Sequence, residues 1–133
     1  MATILDHIRS LESYVERSGA QLVRSPLPGS VHGRVVRDVI TLRADLDPEQ
    51  ELLTLVHELT HWLTHREPCL QHSCTVFEYE AEAVEAVVMA RLGLQFSSEP
   101  FDEEGGNPTD DLLSASVARV VWASGRICEA LGI

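Results

Sequence analysis

The chain has 133 residues and is 44% hydrophobic, which predicts one globular domain over residues 1–133 with its own core. Its formal net charge is −11, and all ten of its lysine and arginine residues are arginine, which argues against a nucleic-acid-binding surface, because phosphate contacts need clustered positive charge. The sequence has no signal-peptide pattern and no run near the ~20 apolar residues of a transmembrane helix, so we expect a cytoplasmic protein that does not enter a membrane.

The first third of the chain predicts a helix followed by a small sheet. Apolar residues recur at helical spacing until a stop near Gly19, namely Ile4, Leu5, Ile8, Leu11 and Val15. Leu22 to Ser25 predicts a strand. Val31 to Leu42 predicts two short strands, joined near Gly33 or at Arg37-Asp38, because it is rich in β-branched and apolar residues. We expect these strands to form a small antiparallel sheet.

A helix start follows at Asp47, which is a suitable N-cap because Pro48 takes the first helical position and Gln50 stands where a capping box needs it. Five apolar residues and one threonine then recur at helical spacing and indicate a helix packed against a core: Leu52, Leu53, Val56, Leu59, Thr60 and Leu63. Inside this helix lies a His-Glu-x-x-His motif that begins at His57.

This motif has the pattern of a zinc site that carries its own base. Residues four apart on a helix share one face about 6 Å apart along the axis, so His57 and His61 can reach one ion at ~2.0–2.1 Å. Glu58 beside them is placed to act as a general base, taking a proton from a water that the metal activates. The alternative is a chance pattern, which fits a polar surface or loop better than this apolar helix.

A further histidine, His65, continues the four-residue series. Along one helix it lies about 12 Å from His57, so the two cannot bind the same ion. The extended motif with a third histidine ten positions after the first is absent, since that position is Glu67. We therefore interpret His65 as a C-terminal helix residue, favoured there by the negative end of the helix dipole.

The three cysteines are Cys69, Cys74 and Cys128, an odd number that suits reduced thiols. Cys69-x-x-His72-x-Cys74 could bind a second metal or offer a thiolate to the zinc. A four-ligand structural site would need a partner that the sequence does not show.

The next predicted helix, Phe77 to Leu92, is largely apolar yet rich in glutamate, and buried carboxylates need a partner charge or a metal. Its apolar face consists of Phe77, Ala81, Val84 and Val88. Glu78, Glu82 and Glu85 share one face, whereas Glu80 points elsewhere. We predict Glu78 as the third metal ligand, and Glu82, one turn on, as the residue that hydrogen-bonds a ligating histidine. The alternative is a solvated stripe without function, which is our interpretation of Glu80.

The chain then predicts a polar surface loop, Ser97 to Asn107, and a last helix that starts at Asn107-Pro108. The inner face of that helix is predicted to consist of Leu113, Val117, Val120, Val121, Ser124, Cys128 and Leu131. Helices and a small sheet in separate stretches predict the α+β class.

With these residues placed, the chain resembles the ImmA/IrrE-type zinc metallopeptidases, a compact gluzincin-like group, over roughly residues 35 to 133. The landmarks are Val39-Ile40-Thr41-Leu42, Thr54-Leu55-Val56-His57-Glu58-Leu59-Thr60-His61 and Glu78-Tyr79-Glu80-Ala81-Glu82-Ala83-Val84. The resemblance implies a zincin-like domain in which His57, His61 and Glu78 bind zinc and Glu58 is the catalytic base. Many relatives carry Leu-Leu-Met-Pro near the end of the second helix, a helix-turn-helix region occurs in some, and a small residue often stands at the position of Glu85; this chain has none of these.

Two functions fit these residues. The first is a cytoplasmic zinc-dependent endopeptidase that cleaves a specific intracellular protein, for example a transcriptional repressor of the helix-turn-helix type supplied in trans. The second is a zinc-stabilised protein-interaction module of a stress or mobile-element system, similar to antirestriction proteins and without turnover. The second is considered because no residue is an evident oxyanion stabiliser: His32, His72 and Tyr79 are candidates, with Tyr79 disfavoured by its different helix face.

Overall fold

The structure is a computed structural model that describes residues 2–65, 71–94 and 110–133, the stretches 71–74 and 110–114 by their backbone alone. The elements within these ranges are α1 (Ile4–Arg17), β1 (Gln21–Ser25), β2 (Gly33–Val36), β3 (Val39–Arg43), α2 (Pro48–Thr64), α3 (Gln71–Leu92) and α4 (Asp110–Leu131). Helices and a small sheet in separate stretches confirm the predicted α+β class.

The first helix, α1, is capped at its start and amphipathic along its length. The Thr3 hydroxyl accepts a hydrogen bond from the Asp6 backbone N–H (3.2 Å), and the Asp6 carboxylate accepts one from the Thr3 backbone N–H (2.8 Å). These bonds satisfy N–H groups that a helix start leaves unpaired. The inner face buries Leu11 and Val15 completely. The helix ends where predicted, and Gly19 just beyond it adopts a φ of 99°, which favours glycine.

The sheet is mixed, so the prediction of an antiparallel sheet is wrong for one of its two pairings. The strand order is β1-β3-β2, in which β2 is antiparallel to β3 and β1 is parallel to it. β3 takes the centre because it is the most apolar strand, with Ile40 and Leu42 fully buried. Between β1 and β2 the chain crosses from one side of β3 to the other. A strand has the same side-chain pattern in either direction, so the sequence did not reveal this crossing.

The turn between β2 and β3 lies at Arg37-Asp38, one of the two predicted positions, and Gly33 lies inside β2. Arg37 has a φ of 54°, as tight hairpin turns require. The Asp38 backbone oxygen accepts a hydrogen bond from the Gln21 N–H (2.8 Å), and its carboxylate accepts one from the indole N–H of Trp62 (3.1 Å). This turn therefore ties the sheet to α2.

The second helix, α2, starts at the predicted N-cap, since the Asp47 carboxylate accepts a hydrogen bond from the Gln50 backbone N–H (2.9 Å). It contacts α1, α3, α4, β2 and β3. Its large buried side chains are Leu52, Leu55, Val56, Leu59 and Trp62. Arg24 of β1 adds ion pairs to Glu12 of α1 and Glu51 of α2. The fold is therefore packed around the helix that carries the His-Glu-x-x-His motif.

The last two helices differ from their predictions in extent or orientation. α3 starts at Gln71, ahead of the predicted Phe77, and buries the predicted residues Ala81, Val84 and Val88. On α4, Val117 and Val121 are 60% and 65% exposed, so their predicted place on the inner face is wrong. The buried residues are Ala123, Ser124, Ile127, Cys128 and Leu131. The apolar residues of α4 cover two overlapping faces of the helix. Its contacts with α1, α2 and α3 determine which of these faces is buried.

The predicted loop over residues 97–107, the predicted helix start at Asn107-Pro108 and the side chain of Leu113 lie outside the described residues. Within the described ranges, every helix is too short or too polar to cross a membrane.

Gly33 lets β2 approach α2 closely, and we expect its replacement by alanine to destabilise the protein. A methyl group at this position would lie 2.8 Å from Thr54 Cγ2 and 2.9 Å from Glu58 Cγ. Because such overpacking typically costs 1–3 kcal/mol, Gly33→Ala should lower the free energy of unfolding by about that amount in denaturant titrations.

Gly125→Ala is the matched control, because a methyl group at Gly125 of α4 meets no atom within 4 Å other than its chain neighbours and the adjacent backbone of its own helix. Alanine should stabilise that helix by roughly 0.5–1 kcal/mol. Equal stability of Gly33→Ala and the wild type would contradict the close approach of β2.

Candidate metal centre

The helices α2 and α3 pack in antiparallel directions, which brings the histidine face of one to the carboxylate face of the other. His57 in the middle of α2 contacts Glu85, whereas His65 at its C-terminal end contacts the earlier Glu80. The residue numbers of the contacting partners rise along α2 while they fall along α3, which indicates that the two helices run in opposite directions. The candidate site lies on these facing sides, at His57 and His61 of α2 and Glu78 of α3.

Three side chains converge there: His57 and His61 of α2 and Glu78 of α3. The Nε2 atoms of the two histidines are 3.1 Å apart. Glu78 Oε2 lies 3.1 Å from Nε2 of His57, and its Oε1 lies 2.9 Å from Nε2 of His61. One possible ligand atom from each residue lies within 4.8 Å of the other two. The structure therefore brings together the three residues that we predicted as ligands.

The spacing and the donor set of this cluster fit a zinc ion. Two ligands at ~2.0–2.1 Å from a tetrahedral ion lie about 3.3 Å apart, close to the separations between the Nε2 and carboxylate atoms. Imidazole nitrogens and a carboxylate oxygen are ligands that zinc accepts. Two unprotonated imidazole nitrogens 3.1 Å apart repel each other through their lone pairs, so the arrangement calls for a proton or a cation between them. All three side chains are partly exposed, which leaves the cluster accessible.

The electrostatics of the cluster favour a positive charge. Burial by itself lowers the pKa of His57, but hydrogen bonds to Glu78 and Glu85 outweigh it and raise the pKa to about 10. Hydrogen bonds to His57 and His61 hold the pKa of Glu78 well below its usual range. In the metal-free protein at neutral pH, His57 therefore carries a proton beside an ionised carboxylate. A metal ion and that proton compete for the same place.

Glu58, the predicted general base, is a buried residue of α2. Burial raises the pKa of its carboxyl, although the positive charges of His57 and His61 act in the opposite direction. A raised pKa makes a carboxylate a stronger proton acceptor. The backbone of Gly33 in β2 faces the stem of this side chain and limits the positions it can adopt. Sequence reasoning had not linked Gly33 to the site.

The carboxylate that contacts a candidate ligand histidine on the side away from the cluster is Glu85, whereas the sequence predicts Glu82 there. The Glu85 carboxylate pairs with Nδ1 of His57. Glu82 makes no hydrogen bond with any side chain in the described part of the chain, and burial with the charge of Glu85 raises its pKa. Glu85 lies seven residues after Glu78, almost two full helical turns, so it returns to the same side of α3 more closely than Glu82 does. The seven-residue spacing was the signal that could have identified it.

Glu80 and His65 form a buried pair, which overturns the interpretation of Glu80 as a solvated residue. The Glu80 side chain is 2% exposed and its carboxylate accepts hydrogen bonds from His65 Nε2 (3.0 Å) and Arg119 Nε (2.6 Å). His65 is the C-cap of α2, as expected from its place at the helix end, but its ring also contacts Nδ1 of His61 (2.8 Å). Burial lowers the pKa of His65. The partner of Glu80 comes from α4, 39 residues away, and no local pattern indicated it.

The remaining candidate residues are the three oxyanion candidates and the cysteine motif. Among the oxyanion candidates, His32 and Tyr79 are exposed, and the side chain of His72 lies outside the described residues. Cys69 and the side chain of Cys74 lie outside them too, so a role for the Cys69-x-x-His72-x-Cys74 motif stays a prediction.

Together, the α+β fold, the His-Glu-x-x-His helix and a facing helix that brings a glutamate to the two histidines are the features of a metallopeptidase-type domain. The chain belongs to the peptidase family described as the IrrE N-terminal-like domain, which matches residues 15–100. This match confirms the resemblance predicted from the sequence, although it starts earlier than expected and ends before α4. At the level of the family, the protein is a metallopeptidase-type hydrolase whose substrate class is protein. Neither the curated proteins nor the solved structures gave a significant match to the chain.

The charge on His57 predicts how the stability of the metal-free protein depends on pH. The folded-state pKa of about 10 lies above the ordinary value of 6.5, so the stabilisation is fully present below pH 6.5 and is lost as the pH rises through 10. Thermal melts in the presence of a chelator should therefore show a melting temperature that falls over this window. His57→Gln removes the titrating group and should flatten that part of the profile. Identical pH profiles for the two metal-free proteins would contradict the pairing of His57 with the two carboxylates.

The contrast between Glu85 and Glu82 predicts different effects on metal affinity. Glu85→Gln removes the negative charge behind His57 and should weaken zinc binding roughly 10–100-fold, the usual range for such outer partners. Glu82→Gln is the matched control on the same helix and should change the zinc dissociation constant by much less. Both constants are measured by competition with a chelating dye. A larger loss for Glu82→Gln would restore our original assignment.

Proposed function

We propose that this protein is a zinc-dependent endopeptidase that cleaves a specific intracellular protein, with Glu58 as its general base. The observation that carries the proposal is the cluster of His57, His61 and Glu78, with Glu58 next to His57 on the same helix. The spacing and donor set of the cluster support zinc as the metal. Membership of a peptidase family supports hydrolysis of a peptide bond as the reaction.

The chemistry that a zinc ion supplies in such a site is polarisation of the scissile carbonyl and activation of the attacking water. Glu58 accepts the proton of that water, and its raised pKa favours holding the proton until it passes to the leaving amine. Glu85 holds the ring of His57 in place from the opposite side. Glu78 is half exposed, so an extended peptide can approach from that side.

The charge of the chain supports a basic protein as the substrate. A net charge of −11 attracts positively charged surfaces over long distances and repels acidic ones. Proteins that bind DNA carry clustered positive charge because they contact phosphates. A transcriptional repressor of the helix-turn-helix type, supplied in trans, is therefore the substrate that we propose.

Glu58→Gln should separate catalysis from metal binding. Glutamine keeps the size and hydrogen-bonding reach of the side chain but cannot accept the proton, and general-base catalysis is commonly worth 10²–10⁴-fold in rate. We expect this variant to fold, to bind one zinc per chain and to bind its substrate without cutting it. The measurements are metal content and recovery of partners from a lysate of the source cells with the variant as a trap.

Cleavage of a trapped partner by the zinc-loaded wild type, and not by Glu58→Gln, would support the enzyme. Glu78→Ala is the companion variant, because it removes the proposed third ligand and should lose zinc as well as activity. Failure of the zinc-loaded wild type to cut any trapped partner would favour the non-catalytic interaction module. Full zinc retention by Glu78→Ala would show that the ligand set is wrong.

A further inference from the structure

A chain of polar side chains runs from the back of His61 to α4. His61 Nδ1 lies 2.8 Å from His65 Nδ1, and His65 Nε2 lies 3.0 Å from Glu80 Oε2. Glu80 in turn accepts hydrogen bonds from Arg119 Nε at 2.6 Å and from the Ser116 hydroxyl at 3.3 Å. Each link lies within hydrogen-bond distance, so the series is continuous from the candidate metal centre to the last helix.

The atoms of this chain admit one arrangement of protons that leaves His61 ready to bind a metal. Its Nε2 faces Glu78 and His57, so this nitrogen must be unprotonated when it acts as a ligand. The ring proton then lies on Nδ1 and is donated to Nδ1 of His65. His65 consequently carries its own proton on Nε2 and donates it to Glu80. Both imidazole donors then point away from the metal and towards the Glu80 carboxylate.

The members of the chain are fixed in position by packing. The side chains of His65 and Glu80 are both only 2% exposed. The ring of His65 stacks on Phe77, with ring centroids 4.1 Å apart and planes at 14°. A buried carboxylate is costly unless it is paired, and Arg119 supplies the opposite charge. His65 therefore has little freedom to turn its ring away from His61.

We propose that His65 is a positioning residue for the zinc ligand His61, held in its tautomer by Glu80 and Arg119. This inference rests on the proposed zinc site. Ligating histidines usually donate their second ring N–H to a carboxylate or carbonyl, which fixes the ring and strengthens the ligand. His57 meets this requirement directly through Glu85. His61 meets it through an inserted imidazole, so the carboxylate that supports it lies one residue further away.

Two variants of His65 separate the acceptor that His61 needs from the donor that Glu80 needs. The amide oxygen of asparagine lies about where Nδ1 of histidine lies, so His65→Asn keeps an acceptor for His61. The amide nitrogen of glutamine lies about where Nε2 lies, so His65→Gln keeps a donor to Glu80 and loses that acceptor. We expect His65→Gln to weaken zinc binding roughly 10–100-fold, and His65→Asn to recover much of the loss.

The readouts are the zinc dissociation constant of the folded protein, the visible spectrum of the cobalt-substituted protein and the melting temperature of the metal-free protein. A purely structural role would lower the melting temperature of both variants while leaving their zinc affinity and cobalt spectrum like those of the wild type. That result, or equal zinc affinities for the two variants, would overturn the inference. A wild type that binds no zinc would instead overturn the proposed function.

Arg119→Met tests the α4 end of this series of hydrogen bonds, and it tests the inference even if the His65 variants do not fold. Arg119 is one-third exposed and lies on α4, so its replacement leaves the His61–His65 contact in place while removing the charge that holds Glu80. We expect a smaller but measurable loss of zinc affinity, about threefold to tenfold, below the roughly 10–100-fold range for direct outer partners, because Arg119 acts through two intervening residues. An unchanged zinc dissociation constant in this variant would contradict the coupling through Glu80.

Discussion

The close approach of three potential ligand atoms between α2 and α3 is the constraint on which the rest of the structure depends. The two imidazole nitrogens lie about 3 Å apart, and each lies about 3 Å from one of the two carboxylate oxygens of Glu78, although unprotonated nitrogens would repel each other there. Such an approach persists only where a positive charge is held between the atoms and where the helices cannot move apart. The buried side chains of α2 supply the second condition, because they pack against the sheet and against every other helix of the described chain. The packing of the core therefore holds α2 and α3 at the separation that brings these ligand groups together.

Buried carboxylates supply much of the charge that this arrangement needs. Glu85 lies directly behind one histidine of the cluster, and Glu80 lies behind the other with an imidazole between them. Neither is free to turn to solvent, since both are nearly inaccessible. A buried carboxylate that cannot reach water must attract a cation, which here is a protonated histidine, an arginine or a metal ion. The site is thus negatively biased before any metal enters it.

The last helix is linked to this site although it lies beyond the part of the chain that matches the family. Arg119 and Ser116 of α4 pair with Glu80, while Ile127 and Cys128 of the same helix fill the core beside α1 and α2. One helix therefore closes the core and provides a counter-charge for a carboxylate near the candidate metal centre. Substitutions on α4 can consequently affect the centre without touching it.

The sequence by itself determined the features that depend on local spacing. The four-residue repeat of His57 and His61 placed two candidate ligands on one face, the N-cap at Asp47 located the start of their helix, and the apolar periodicity predicted the α+β class. Glu78 was proposed from the cost of burying a carboxylate on an apolar helix, and the structure places it at the cluster.

Only the tertiary structure decided the features that depend on which elements are neighbours. The parallel pairing of β1, the face of α4 that is buried, and the choice of Glu85 over Glu82 all follow from packing between elements distant in sequence. The sequence pattern around Glu80 predicts a surface residue, whereas in the structure Glu80 is buried and pairs with Arg119 of α4. The physical reason is that helix and strand periodicity fix which residues share a face, whereas the partner of that face is chosen by the fit of the whole core.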